Sequence, residues 1–448
     1  MVAKAIINLL FPPSPTPPAP AAVLAPAPTT ATNSDDASDE PMERRMYQLT
    51  DLTGNHNKFY MVELWPAPDG KVRFRASWGR VGSKPQTSEK IVTPYAVEAQ
   101  VAEKVRKGYR RVELHRPEVE IIAQPDDPPL PKLDPKVVQL VDWVFLEAGE
   151  HIRSYLAVEV DALGQDQINE GRRLLAETQT QYDALRLNPF KRDQNMKVLA
   201  GTVQSYYNAI PTKLPARMDP ESVVLDFCKQ LDDQEDRLLQ LEAAIAMMKV
   251  ERKHPGLSHY QTLGANINVL PADDPAHKDL VAYVERTQVH GYKIRVRDVF
   301  EVCIPDERKA YEQNKRGLSR RELLFHGTHN RNVRHILRQG LICPRAASNG
   351  RMFGNGIYLA NRASKSTNYC AAGRSGFPNM LFVVEAALGN AYMAPTAKSF
   401  NKPPQGHDSV WGKAGHTKAW AAFKLQHDEF IVYRPEQQTI RYLVTFER

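Results

Sequence analysis

The sequence predicts an α+β chain of several domains. Three observations carry this: two strand-like runs and a helix early in the chain, a long middle stretch with a helical period, and mixed strand and short-helix signals toward the end. Its length of 448 residues leaves room for roughly two to four domains, each burying its own core.

Residues 1 to about 41 are Pro, Ala, Thr and Ser with few aromatics, and end in the acidic stretch Asp35 to Glu40. Such a segment buries too little apolar area to offset the entropy of ordering, so a disordered tail is expected. The apolar patch Ala5 to Phe11 runs straight into Pro12 and Pro13 and lacks the h-region and cleavage site of a signal peptide. Cys228, Cys303, Cys343 and Cys370 are widely spaced, without a C-x-x-C pair or His/Cys ligand spacing. A reduced intracellular protein with no structural metal is expected. No apolar run approaches the roughly 20 residues of a helical membrane span.

In residues 42–122, Phe59 to Trp65 reads as a strand, and so does Val72 to Trp78, where Val72, Phe74 and Ala76 alternate with Arg73, Arg75 and Ser77. The Pro66 to Gly70 segment between them has turn chemistry, and Val97, Val101 and Val105 mark a helix over Val97 to Tyr109. The expected product is a small antiparallel sheet carrying one helix. From Met42 to His115 there are 14 Lys and Arg against 8 Asp and Glu, whereas Pro131 to Val250 holds 14 against 19. A basic module beside an acidic one suggests a polyanion-binding unit followed by one that does not bind polyanions.

The Pro-rich segment 123–131 is a linker. Beyond it, residues 132–250 show three helical stripes: Val137 to Tyr155, Ile168 to Leu185, and Leu199 to Ile210. Asp219-Pro220-Glu221 is a helix start, with a cap residue and Pro in the first turn, leading into an apolar series from Val224 to Met248. This reads as an all-α bundle, and a purely structural spacer fits it as well.

Residues 251–448 carry the chemistry. Leu381 to Leu388, Glu429 to Tyr433 and Ile440 to Phe446 read as strands, and Asn330 to Arg338 as a short helix. Three clusters stand out: LLFHGT (Leu323 to Thr328), MFGNGIYLANRASKSTNY (Met352 to Tyr369) and HDEFIVY (His427 to Tyr433). Singly, each has a bland reading. His326 can be a structural histidine, Gly354 and Gly356 can make a plain turn, and Glu429 can be a solvated charge. Together they suggest a concave polar site with a stacking surface. No strand-G-x-G-x-x-G-helix unit is present, which argues against a Rossmann dehydrogenase.

The final domain resembles the poly(ADP-ribose) polymerase catalytic domain, whose hallmark is a His-Tyr-Glu triad. His326 in LLFHGT, Tyr358 in FGNGIYLA and Glu429 in DEFIVY fall at its three positions, flanked by the family-like SKSTNYC, ALGNAY and GHDSVWGKAG. The region around VVQLVDWVF and SYYNAIP resembles the family's helical regulatory domain. Trp78-Gly79-Arg80 in RASWGRVGS resembles the signature of the WGR domain.

The resemblance implies a mixed α+β ADP-ribosyltransferase domain that takes NAD as a substrate and needs no metal. Gly327 and Ser366 would hold the nicotinamide amide, Tyr358 and Tyr369 would stack on its ring, and His326, with Thr328 nearby, would bind the adenosine ribose. Glu429 would stabilise the ribose cation and position the acceptor. It further implies a WGR module that binds damaged or nicked double-stranded DNA through Trp78, Gly79 and Arg80, with phosphate attraction from Lys71, Arg73, Arg75, Lys84 and Lys90. Trp78 can equally be a core tryptophan. The helical bundle would cover the NAD site until DNA binding loosens it. Asn355 departs from the Lys that many family members carry between these glycines, which leaves polymer length and acceptor choice open.

The expected protein is a monomer, not membrane-bound, that modifies itself and other proteins in the response to DNA damage. A mono-ADP-ribosyltransferase or an enzyme acting on DNA ends stays open, while the intact triad counts against an idle scaffold. Its place is the nucleus in a eukaryote, or the cytoplasm and nucleoid in a prokaryote, since the helix ending Arg106 to Tyr109 also looks like bacterial WGR modules.

Overall fold

A computed structural model describes residues 41–52, 54–112, 132–187, 189–215, 219–253, 258–289, 293–344, 351–420 and 423–448. The tail, apart from residue 41, and the 123–131 linker therefore lie outside the described residues. The chain divides into two compact units, Met1–Leu114 and His115–Arg448.

The first unit is a five-stranded antiparallel sheet with one helix. Strands β1 (Glu43–Asp51), β2 (His56–Pro66), β3 (Val72–Arg80), β4 (Gln86–Val92) and β5 (Arg110–Val112) lie in the order β4-β3-β2-β1-β5, and helix α1 spans Pro94–Arg106. The expected turn between β2 and β3 is present, with Asp69 and Gly70 both at positive φ (58° and 66°), as a tight hairpin of matching twist requires. Alternation along β2 and β3 puts Tyr60, Val62, Leu64, Val72, Phe74 and Ala76 on one face. There Val97 and Val101 of α1 cover them. Helix α1 starts three residues before the expected Val97, because Thr93 caps it and Pro94 opens it.

The second unit begins with five helices: α2 (Pro135–Tyr155), α3 (Gln165–Leu187), α4 (Arg192–Ala209), α5 (Pro220–Lys229) and α6 (Leu231–Lys253). The apolar stripes of α2 and α4 and the series over α5 and α6 lie buried, while that of α3 is buried at Ile168 and Leu175 and only partly so at Tyr182 and Leu185. Asp219 caps α5, accepting a hydrogen bond from the Ser222 amide at 2.9 Å. The apolar series from Val224 to Met248 is not one helix: it breaks at Gln230, and α6 restarts with Asp232 and Asp233 in its first turn, where carboxylates suit the positive end of the helix dipole.

The remaining strands are β6 (Asn266–Val269), β7 (Arg295–Cys303), β8 (Arg321–Gly327), β9 (Ile357–Leu359), β10 (Asn379–Ala387), β11 (Ala391–Met393), β12 (Ser409–Gly412), β13 (Lys418–Trp420), β14 (Phe423–Lys424), β15 (Glu429–Val432) and β16 (Gln438–Glu447). Short helices α7 (His259–Leu263), α8 (Pro275–Arg286), α9 (Pro305–Asn314), α10 (Val333–Gln339) and α11 (Ala363–Thr367) connect them. One sheet has the order β6-β7-β16-β10-β8 and another β11-β12-β15-β9. The fold is α+β. Apolar side chains of β7, β8, β10 and β16 meet Leu280 and Val284 of α8 in the main core. The two sheets are stitched together by reciprocal backbone hydrogen bonds between Phe325, on β8, and Ala360, just past β9, at 2.7 and 3.0 Å. Among the described residues no helix is long and apolar enough to cross a membrane, and no group of three or more His, Cys, Asp or Glu could hold a metal ion.

Candidate active site

The stitch between the two sheets brings distant segments to one place. His326 follows Phe325 on β8, Tyr358 lies on β9, and Glu429 opens β15, which pairs with β9 through Ile431 opposite Tyr358. A cavity of about 340 Å³ lies at this joint. His326, Gly327, Thr328, Tyr358, Ser366, Tyr369 and Glu429 all line it.

Each side chain has a local reason for its placement. The His326 Nδ1 sits 3.0 Å from the Tyr358 carbonyl oxygen. A carbonyl only accepts, so Nδ1 carries the proton and Nε2 is left as an acceptor. Burial pushes the imidazole below its ordinary pKa, against the pull of that carbonyl, so the ring is neutral at physiological pH. The Tyr358 hydroxyl accepts from the Phe353 amide at 2.8 Å and donates to the Gly354 carbonyl at 3.0 Å. Its polar end is thus occupied by the loop, leaving the ring as a surface. Burial raises its pKa, so the phenol stays protonated.

Gly327 is required by a close approach. A Cβ there would lie 1.8 Å from the Ser366 carbonyl oxygen, so only glycine lets β8 touch α11. Gly354, at φ 82°, is equally constrained, with the Phe400 carbonyl oxygen 2.1 Å from where a Cβ would sit. The Ser366 hydroxyl donates to the Phe325 carbonyl at 3.1 Å, while the Tyr369 ring is largely exposed at the mouth.

Glu429 is buried and paired with Lys365, whose Nζ lies 2.7 Å from Oε1. The same ammonium donates to the Tyr369 hydroxyl at 3.1 Å. Burial alone would lower the Lys365 pKa; Glu429 and Tyr369 together lift it above its ordinary value, so the pair is ionic. Lys365 stands in the middle of Ser-Lys-Ser, and the sequence motif by itself assigns it no role.

Helix α6 forms one wall, contributing Asp232, Glu235, Asp236 and Leu239 to the cavity lining. Its carboxylates hold the far side of the site. Asp233 pairs with Arg331 at 2.9 Å and Asp232 with Arg351 at 2.5 Å. Asn332 donates to Asp236 at 2.7 Å and to the Thr328 hydroxyl at 2.9 Å, and accepts from Gln240 at 2.6 Å. Burial pushes the Asp236 carboxyl up to about 7, with the Asn332 bond opposing the rise. Elsewhere on the seam, Glu147 of α2 accepts from the Gly373 amide at 2.9 Å.

In the first unit the residues singled out for DNA divide between two faces. Trp78 shares its face with Phe74 and Ala76 and packs, half-buried, against the core beneath α1. Arg80, on the same face at the end of β3, donates to the Asn55 carbonyl and side-chain oxygens, each at 3.2 Å. Gly79 has no atom closer than 3.7 Å to an added Cβ, so close packing does not dictate glycine. Arg73 and Arg75 occupy the opposite face, stacked over Trp65 at 4.4 and 4.7 Å, and Arg75 pairs with Glu89 at 2.7 Å. Lys71, Lys84 and Lys90 are exposed, with the Lys90 ammonium 5.6 Å above the Phe74 ring.

The fold and site define an α+β domain with a cleft built on two joined sheets and walled on one side by a helix of the bundle. Residues 276–448 match the family model described as the poly(ADP-ribose) polymerase catalytic domain, and residues 43–115 match that of the WGR domain. Poly(ADP-ribose) polymerase 2 of Homo sapiens is 25% identical over 89% of this chain and 78% of its own length. Poly(ADP-ribose) polymerase of Drosophila melanogaster is 25% identical over 89% of this chain and 45% of its own length. Poly(ADP-ribose) polymerase 1 of Gallus gallus is 32% identical over 46% of this chain and 21% of its own length. This chain therefore spans less than half the length of the Drosophila and Gallus relatives. The chain thus carries a region that matches the poly(ADP-ribose) polymerase catalytic domain, with a region that matches the WGR domain ahead of it, and it is similar to poly(ADP-ribose) polymerases over most of its length.

Proposed function

We propose that this chain is a DNA-break-dependent NAD ADP-ribosyltransferase, which transfers poly- or oligo-ADP-ribose to itself and to nearby proteins and releases nicotinamide. One observation carries the reading: His326, Tyr358 and Glu429, far apart in sequence, line a single cavity together with Gly327, Ser366 and Tyr369. The reaction breaks the bond between the nicotinamide nitrogen and ribose C1′, and the acceptor oxygen forms the new bond to C1′. Nicotinamide leaves as the neutral base, and the acceptor gives up its proton.

The residues suit each part of this. Gly327 and Ser366 hold the carboxamide, with the Tyr358 and Tyr369 rings on either side of the pyridine. The neutral His326 offers Nε2 to an adenosine ribose hydroxyl. Glu429 accepts from the nicotinamide-ribose hydroxyl, and its negative charge stabilises the sugar as it becomes cationic. Lys365 fixes the direction of that carboxylate. Asn355 in place of a lysine leaves product length and acceptor choice to be read from the labelled product.

The helical bundle acts as the cover. Its α6 carboxylates occupy one wall, and a cavity of about 340 Å³ is small for a dinucleotide. DNA bound by the WGR module through Trp78 and Arg80 would loosen these helices, a coupling carried by local unfolding. Such an enzyme serves DNA repair, in the nucleus of a eukaryotic cell. The test is to incubate purified full-length protein with NAD labelled in its adenylate phosphate, with and without 5′-phosphorylated nicked duplex. Label on protein that depends on the nick supports the reading, a ladder marking oligomers and a single band marking monomers. No label on protein under either condition overturns it.

A further inference from the structure

Among the described residues, two cationic side chains line the cavity, Arg351 and Lys365, against four carboxylates, Asp232, Glu235, Asp236 and Glu429. For a cleft that admits a dinucleotide with two negative phosphates, this balance has the wrong sign. Three of the four carboxylates stand on one helix, α6. Without that helix the described lining keeps Arg351 and Lys365 against Glu429. The sign inverts, and it does so even if Asp236, pushed up to about 7, is counted as neutral.

Lys365 is committed to Glu429 at 2.7 Å, which among the described lining residues leaves Arg351 for the phosphates. Its guanidinium is held ready in a specific way. Nη2 lies 2.5 Å from Asp232 Oδ1, while Nη1 faces the Asn355 amide oxygen at 3.5 Å. The Arg351 side chain is 15% exposed and that of Asp232 is 42% exposed, so the cation sits inside and the carboxylate reaches it from the rim. A guanidinium fork binds a carboxylate and a phosphate through the same two N–H directions.

We propose that Arg351 is a ligand for the pyrophosphate of the dinucleotide, and that Asp232 occupies its guanidinium until α6 withdraws. Carboxylate and phosphate compete for one cation. The proposal rests on the reading of this cavity as an NAD site and adds to it a named phosphate ligand and the group that masks it. Dinucleotide binding and release of α6 then favour one another, since each removes the other's competitor. A compound that fills only the nicotinamide subsite carries no phosphate and does not engage Arg351.

The experiment measures, by calorimetry on the full-length chain, the affinities of a non-hydrolysable NAD analogue and of benzamide, which mimics nicotinamide alone. Wild type, Arg351→Gln, Asp232→Asn and the double variant are compared. Arg351→Gln should weaken the analogue by about 10-fold or more, as expected for the loss of a charge-assisted fork, with benzamide affinity kept as the sign of an intact fold. Asp232→Asn should tighten the analogue relative to benzamide, and this gain should vanish in the Arg351→Gln background. If wild type and Arg351→Gln bind the analogue equally, or if Asp232→Asn helps equally with and without Arg351, the proposal is overturned while the NAD reading stands. If wild type binds neither compound, both fall together. Because Asp232 is on the rim, its variant tests the proposal even if Arg351→Gln fails to fold: an analogue affinity unchanged relative to benzamide would then overturn it.

Discussion

The Lys365 ammonium is shared between a Glu429 oxygen at 2.7 Å and the Tyr369 hydroxyl at 3.1 Å, so one side chain sets two others. Replacing it with Met leaves a buried carboxylate without its cation. The Lys365→Met variant should lose about 10-fold or more in kcat through misdirection of that carboxylate, with KM for NAD close to wild type and partial recovery in Lys365→Arg. Steady-state kinetics check this, and an unchanged kcat would remove Lys365 from the catalytic arrangement. At this scale the sequence was legible where motifs are local. His326, Tyr358 and Glu429 each sit in a short stretch of characteristic spacing. Lys365, Asn332 and Arg351 were not legible, because their partners Glu429, Asp236 and Asp232 lie more than sixty residues away and no spacing rule connects them.

At the scale of elements, helix α6 and strand β3 make opposite points. Helix α6 holds the catalytic domain with Asp236 buried, and burial sets the titration of that contact. The carboxyl binds its proton more tightly when α6 is docked than when it is released. Low pH therefore favours the docked state. That preference is lost as pH rises from the ordinary carboxylate range to about 7, beyond which it changes no further. Asp232, Asp233, Arg331 and Arg351 face the same seam, paired as Asp232 with Arg351 and Asp233 with Arg331. The ratio of DNA-independent to DNA-stimulated activity should rise with pH up to about 7 and then level off; taking the ratio cancels titration within the catalytic step itself. Asp236→Asn should flatten the profile, and a wild-type profile in that variant would refute the assignment.

Strand β3 was legible as an element, but its faces split the expected DNA residues, with Trp78 and Arg80 on one and Arg73 and Arg75 on the other. Arg80→Ala should weaken binding to a nicked duplex and reduce the salt slope by about 1, as for one lost phosphate contact. Arg75→Ala, whose side chain pairs with Glu89, should do less. Fluorescence anisotropy over a salt series separates them, and equal effects would place the contact across both faces. The same cap-then-Pro signal that marked α5 also opens α1 at Thr93-Pro94, α2 at Asp134-Pro135 and α8 at Asp274-Pro275. Strand β4 escaped notice because it is almost wholly exposed and carries no apolar alternation.

For the whole molecule, the order of modules showed in shifts of composition and period, while the packing of one module on another did not. The helices from Pro135 to Lys253 and the two sheets form one compact unit, held by contacts such as Glu147 to Gly373 that join segments far apart in the chain. Removing residues 132–253, which takes α6 out whole, should give an enzyme whose transfer no longer depends on DNA. A folded deletion that still needs DNA would contradict the role given to the helices. The central claim is narrower: one pocket cleaves NAD with Glu429 as the group that meets the developing charge. The direct measurement is nicotinamide release from ring-labelled NAD by full-length protein saturated with nicked duplex, comparing wild type with Glu429→Gln. The variant should retain benzamide affinity and lose about 10²-fold or more in release rate. Equal rates in the two proteins would contradict the claim.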